Sequence, residues 1–153
     1  MTLGRREKDI LRILQRNGRI SNADLAQQVG LSESPCFRRV KQMEASGLIA
    51  GYAATVDQRK LGLEVTAFVQ VTMEKQSEAD TEKFLDRVAA EEHIVECFAT
   101  SGSHDYLMKV VARNIDHFSD LTMRRILKYP GVKNVESSFS LLEIKNNRAL
   151  PTG

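Results

Sequence analysis

Two groups of residues in this 153-residue chain have the types and spacing to do chemistry. Ser34, Arg38, Lys41 and Gln42 share one side of any helix drawn through them at about 100° per residue. A stripe of that kind offers donors to an anionic partner. The second group is Ser101-Gly102-Ser103-His104-Asp105. Glycine permits a tight loop with exposed backbone amides that can hold a carboxylate, and Asp105 can pair with an α-ammonium group, so the pair of features suits a zwitterionic amino acid. Each group also has a plainer reading. Exposed arginine and lysine on a helix usually mark a solvated face. The loop can be an ordinary hairpin turn in which Gly102 and Asp105 serve geometry only, with His104 solvated.

Catalysis finds little support. His104 with Asp105 as an acid/base pair, or Cys97 as a nucleophile, would need a third orienting group, and none is identifiable. Neighbours in a strand also point to opposite faces, and neither a nucleophile elbow nor a phosphate loop is present. The two cysteines, Cys36 and Cys97, lack a second thiol or a histidine at zinc spacing, so neither a disulfide framework nor a structural metal is expected. They read as small buried hydrophobes. No catalytic residue, metal or cofactor is expected.

With 42% hydrophobic and 27% charged residues the chain should bury a real core, as one ordinary domain or two small ones. It has no run of about 18 apolar residues and no apolar stretch at its start of the kind a secretory signal carries, so a cytoplasmic protein is expected. The net charge of +2 conceals an asymmetry: residues 1–48 carry nine basic against five acidic side chains, a balance of +4, and the remainder sits at −2. A basic head on a mildly acidic body suggests that the head meets a polyanion.

The elements that must position these groups fall into two halves. Over residues 1–48 the apolar spacing is helical, and Gly18, Gly30 and Gly47 each close a segment where a left-handed residue would be needed. Three helices are expected. The first covers about residues 5–16 and buries Ile10, Leu11 and Leu14. The second opens with a capping-box-like Ser21 and Asp24, and buries Leu25, Ala26 and Val29. The third starts at Ser32 as cap, holds Pro35 in its first turn and runs to about residue 46. On it Cys36, Phe37, Val40 and Met43 are expected to pack, leaving Ser34, Arg38, Lys41 and Gln42 free to bind. Two helices joined by the short turn Gly30-Leu31, the second with a basic outer face, form the helix-turn-helix arrangement that enters a DNA major groove.

Residues 49–60 read as an extended connector. From Gly62 the pattern is β-α-β-β-α-β, with strands expected at 65–73, 94–100, 106–112 and 135–144 and helices at 79–90 and 115–128, the first of them preceded by a possible capping pair of Ser77 and Asp80. That order gives a ferredoxin-like four-stranded antiparallel sheet with both helices on one face. The other face, carrying Phe68 or Val69 and Leu107 or Val110, then needs a cover, so at least a homodimer is expected. The fold class is α+β, divided into a helix-turn-helix domain over residues 1–50, a linker over 51–62 and a ferredoxin-like domain over 63–153.

A set of short motifs, in order along nearly the whole chain, carries a family resemblance. They are Asp9-Ile10-Leu11, Asn17-Gly18-Arg19, Asp24-Leu25-Ala26, the run Leu31-Ser32-Glu33-Ser34-Pro35-Cys36-Phe37-Arg38-Arg39-Val40-Lys41, and Gly47-Leu48-Ile49-Ala50-Gly51-Tyr52. In the second half come Gly102-Ser103-His104-Asp105-Tyr106-Leu107, Pro130-Gly131-Val132, Glu143-Ile144-Lys145 and Leu150-Pro151. Together they resemble the leucine-responsive / asparagine-synthesis regulator (Lrp/AsnC) family of prokaryotic transcription factors. Two departures stand near the start, where Gly4 and Glu7 occupy positions at which the family commonly has Asp, so the capping of helix 1 is expected to differ.

The resemblance implies an N-terminal winged-helix-like DNA-binding domain and a C-terminal domain that assembles dimers into higher oligomers, often octamers, and senses amino acids. Double-stranded DNA contact is then expected from Ser34, Pro35, Arg38, Arg39 and Lys41. Arg38 would read a guanine edge, while Arg39 and Lys41 would grip phosphates; the competing reading for Arg39 is an ion pair to Glu44 or Glu7. The family's effector pocket, at a subunit interface, carries over onto Gly102, His104 and Asp105, with Ser137 and Ser138 on the last strand as further contributors. The alternative function is an amino-acid-binding regulatory subunit that acts on a partner protein and never touches DNA, which would leave the outer face of helix 3 without a purpose.

Overall fold

In a computed structural model, which describes residues 3–74, 78–146 and 148–153, the chain forms two units. One comprises Met1–Thr55 with Lys145–Gly153, the other Val56–Ile144. The last nine residues therefore group with the first unit rather than with the expected 63–153 domain. Side-chain bonds explain this: Gln15 both donates to the Leu150 carbonyl (3.1 Å) and accepts from the Leu150 amide (2.6 Å), and Arg12 donates to the Gly153 carbonyl (2.8 Å).

The first unit is built from α1 (Arg5–Leu14), α2 (Asn22–Val29) and α3 (Glu33–Ala45) around a core of Ile10, Leu11, Leu25, Ala26, Val29, Cys36 and Met43. Helix α1 opens at Gly4 without a side-chain cap and ends two residues before the expected Arg16. At α2 the Ser21 hydroxyl accepts from the Asp24 amide (3.1 Å) and donates to the Asp24 carboxylate (2.6 Å), so the acid returns to the hydroxyl rather than to a backbone amide. Helix α2 stops at left-handed Gly30 (φ 65°), which lets the Leu31 amide reach the Ala26 carbonyl at 2.9 Å. Ser32 stands at the cap of α3, but its hydroxyl makes no capping bond. Gly18 is not left-handed; a side chain there would meet the Tyr52 ring at 3.0 Å, so its smallness serves a close approach.

Long-range bonds fix how the three helices cross. The Arg6 guanidinium donates to the Val29 carbonyl, placing a cation at the C-terminal end of α2, whose last turn has no basic residue of its own. Asn22 donates to the Glu33 carbonyl (3.0 Å), tying the start of α2 to the start of α3. Arg39 of α3 forms an ion pair with Glu7 of α1.

In the second unit the strands are β1 (Val65–Met73), β2 (Ile94–Ala99), β3 (Tyr106–Ala112) and β4 (Val132–Phe139), ordered β2-β3-β1-β4 with every neighbour antiparallel. Ala67, Val69 and Val71 of β1 are wholly buried with Met108 and Val110 of β3, against Phe84 from α4 (Glu78–Ala90) and Phe118 from α5 (Ile115–Asp120). Phe68 and Leu107 thus lie on the face without helices, together with Phe98, and Val69 and Val110 on the core face. The expected cap at Ser77 lies outside the described residues.

Two elements differ from expectation. Strand β4 ends at Phe139, not at residue 144, because β1 begins at Val65: after Phe139 pairs with Ala67 and the Ser140 amide with the Thr66 carbonyl (2.9 Å), only Val65 of the partner strand is left. The expected helix over 115–128 is helical throughout but changes pitch: α5 widens into a π turn at Leu121–Arg125 and tightens into a 3-10 turn at Ile126–Lys128. The wide turn keeps Leu121 and Ile126, five residues apart, both buried on the sheet.

The Glu7–Arg39 pair is partly shielded, the side chains being 14% and 34% exposed, and the Arg39 Nε is buried with no hydrogen-bond partner among the described residues. Glu7→Gln should lower stability by about 1–2 kcal/mol, between the values for exposed and fully buried pairs. Urea denaturation of wild type, Glu7→Gln, Arg39→Gln and the double variant checks this, with the double variant less destabilised than the sum of the singles.

Candidate nucleic-acid interface and loop site

Rotation of α3 decides what it presents. Cys36 and Met43 are wholly buried, which turns Ser34, Arg38, Lys41 and Gln42 outward, all four exposed. Pro35 and Arg39 are half-buried at the flanks. Arg38 has no ion-pair or hydrogen-bond partner among the described residues, so its guanidinium is unengaged. Arg39 is engaged: its pairing with Glu7 realises the competing reading and turns the side chain toward α1.

Lys41 lies between these cases. Its ammonium contacts Glu44 at 2.7 Å, with 57% of the side chain exposed. The bonds from Lys41 and then from the Tyr52 hydroxyl (3.0 Å) hold the Glu44 carboxyl below its ordinary range, while burial followed by Glu44 pushes the Tyr52 phenol up. Phe37 corrects the sequence reading: 53% exposed, it belongs to the outer surface, with the Lys41 ammonium 5.5 Å from its ring centroid. Its position one residue past buried Cys36, about 100° further round the helix, was the available signal.

The loop between β2 and β3 is fastened at both ends. The Thr100 amide donates to the Asp105 carbonyl (2.9 Å), the Asp105 amide to the Val71 carbonyl (2.9 Å), and the Met73 amide to the Asp105 carboxylate (2.7 Å) at a bulge in β1. Asp105 is therefore a tie between the hairpin and β1. Gly102 adopts φ 116°, a conformation that favours glycine, in open space. The His104 ring stands 3.0 Å from the Ser103 hydroxyl through Nδ1 and 3.5 Å from the Glu136 carboxylate through Nε2.

The loop thus meets β4 at Glu136, which the sequence reading did not single out. Ser137 pairs with Val69 and shares the core face, whereas Ser138 pairs with Phe68 on the opposite face. The two serines cannot line one pocket of a single protomer. Burial pushes the Cys97 thiol up, away from the thiolate a nucleophile needs. Among the described residues no group of three His, Cys, Asp or Glu could hold a metal ion, and no helix is long and apolar enough to cross a membrane.

Comparison with known proteins matches both units. A family model described as winged helix-turn-helix DNA-binding matches residues 3–50, and one described as Lrp/AsnC ligand binding domain matches residues 66–150. The chain is 36% identical to the leucine-responsive regulatory protein of Rhizobium meliloti, covering 90% of this chain and 88% of that one. It is 31% identical to the transcriptional regulator AzlB of Bacillus subtilis, covering 95% and 92%. Its fold superposes with a TM-score of 0.95 on a transcriptional regulator of Neisseria meningitidis solved as a complex with L-Met, at 37% identity over 98% of this chain and 97% of that one. These relatives are transcriptional regulators rather than enzymes. A DNA-binding helix-turn-helix followed by a ligand-binding sheet domain is their shared plan, and this chain belongs to the Lrp/AsnC family of transcriptional regulators.

Proposed function

We propose that α3 enters the major groove of operator DNA with Arg38 bidentate on a guanine edge, Lys41 on a phosphate, and Ser34 and Pro35 at the groove wall. The observation that carries this reading is the unengaged Arg38 guanidinium at the centre of an exposed donor row. Arg39 is left out of the contact set, since moving it to DNA would strand Glu7. Residues 1–50 hold the DNA-reading part, 51–62 the connector, and the sheet domain beyond them the ligand and assembly functions.

For the sheet domain the proposed effector is an α-amino acid. The loop through Gly102 and His104 supplies backbone amides for its carboxylate, and Asp105 retains one carboxylate oxygen beyond the one that accepts from Met73. Similarity to a regulator solved with L-Met supports the ligand class. The apolar face bearing Phe68, Phe98 and Leu107 is where a second copy would pack, with dimers assembling further to an octamer, and the protein would work in the cytoplasm. Since Ser137 and Ser138 face opposite ways, Ser138 is the one of the two that such a copy would approach.

Arg38→Ala should cost about 1–3 kcal/mol of discrimination between operator and mismatched duplex, while Lys41→Ala should weaken all duplexes alike and reduce the salt slope by about one unit. Binding titrations at several salt concentrations check both; equal affinities of wild type and variants would contradict the assignment. For the effector, calorimetry with each common amino acid should give heat with at least one, and the same ligand should raise the melting temperature by its mass-action effect. No heat and no shift with any of them would overturn the amino-acid reading.

A further inference from the structure

Among exposed apolar side chains, Phe37 is out of place in a way the others are not. It stands on α3 next to exposed Arg38 in sequence and one turn before Lys41, 53% exposed at the Lys41 edge of a row of hydrogen-bond donors. Neither core claims it, since the buried line of α3 runs through Cys36 and Met43. Its surroundings hold it ready: the Lys41 ammonium lies 5.5 Å from the ring centroid, Lys41 is fixed by Glu44 at 2.7 Å, and Glu44 by the Tyr52 hydroxyl at 3.0 Å. More than half of Phe37 is open to solvent, on the Lys41 side of α3.

Phe37 is the fifth residue of α3, in the half of a recognition helix that approaches base edges. The major groove offers one apolar group, the C5-methyl of thymine, and phenylalanine is one of the side chains that pack on it. We infer that Phe37 is a specificity-determining residue whose ring packs on a thymine methyl next to the guanine read by Arg38. This rests on the proposed entry of α3 into the groove and adds a base that Arg38 cannot report. Polar and apolar neighbours would then read adjacent base pairs by different physics, a donor fork for guanine and a desolvated methyl for thymine.

The test starts from a duplex selected by the full-length wild type from a randomised pool. Each thymine of that duplex is replaced in turn by deoxyuridine, which removes the methyl and nothing else. Wild type should lose about fourfold in affinity at one thymine per half-site, the equivalent of about 0.8 kcal/mol for one buried methyl-sized group. Phe37→Ala should bind the thymine and uracil duplexes equally, and Phe37→Leu, which keeps an apolar tip, should retain the difference. Circular dichroism should show both variants folded, as expected for an exposed site. If wild type is insensitive at every thymine, or Phe37→Ala is as sensitive as wild type, the inference fails while the Arg38 reading stands. If wild type selects no sequence and binds no duplex, the groove reading fails and takes this inference with it.

Discussion

The rotation of one helix governs what this protein presents to a partner. Helix α3 is short of apolar residues, yet Cys36 and Met43 are both wholly buried, and putting a methionine there is worth about 1.5–3 kcal/mol relative to leaving it in water. With those two positions inside, geometry leaves no choice about Ser34, Arg38 and Lys41. The Glu7–Arg39 pair then removes the remaining freedom of roll by tying the flank of α3 to α1. One arginine is used as structure so that its neighbour can be left unengaged, and which of the two does which follows from a partner 32 residues away.

The sheet unit rests on an equally simple rule. Strand β1 is central, so its alternation sorts both neighbours: Ala67, Val69 and Val71 go to the helices, Phe68 to the open side. The same strand accepts the β2–β3 loop through Asp105, whose backbone meets Val71 and whose carboxylate meets Met73. A loop anchored in this way holds Gly102 and His104 in a defined place without help from a ligand. Both units thus follow one plan, with a rigid element buried on one side and its other side left open.

Local pattern was enough for most of this, and its failures have identifiable causes. The strands at Val65–Met73 and Tyr106–Ala112 could be read to the residue because alternation on a central strand is strong. The end of β4 could not, because it is set by where β1 begins. Apolarity alone places Phe37 inward, but it sits about 100° beyond Cys36, and position outweighs residue type. Gly18 looks like a left-handed terminus in sequence because Tyr52, the ring that requires its smallness, is distant along the chain. The motif groups Ser137 with Ser138, but period-two geometry separates them, and it is Glu136 that meets His104. The family motifs name both candidate sites; the pairing of side chains across elements decides which residues in them are engaged.

Direct observation of the protein–DNA contact tests the account most sharply. Nuclear magnetic resonance of the isotope-labelled full chain, titrated with its selected duplex, should shift the signals of Ser34, Phe37, Arg38 and Lys41 most, with the Arg39 guanidinium signal unmoved because Glu7 keeps it. Unchanged α3 signals in the presence of saturating duplex, or an Arg39 that leaves Glu7 for DNA, would contradict the account.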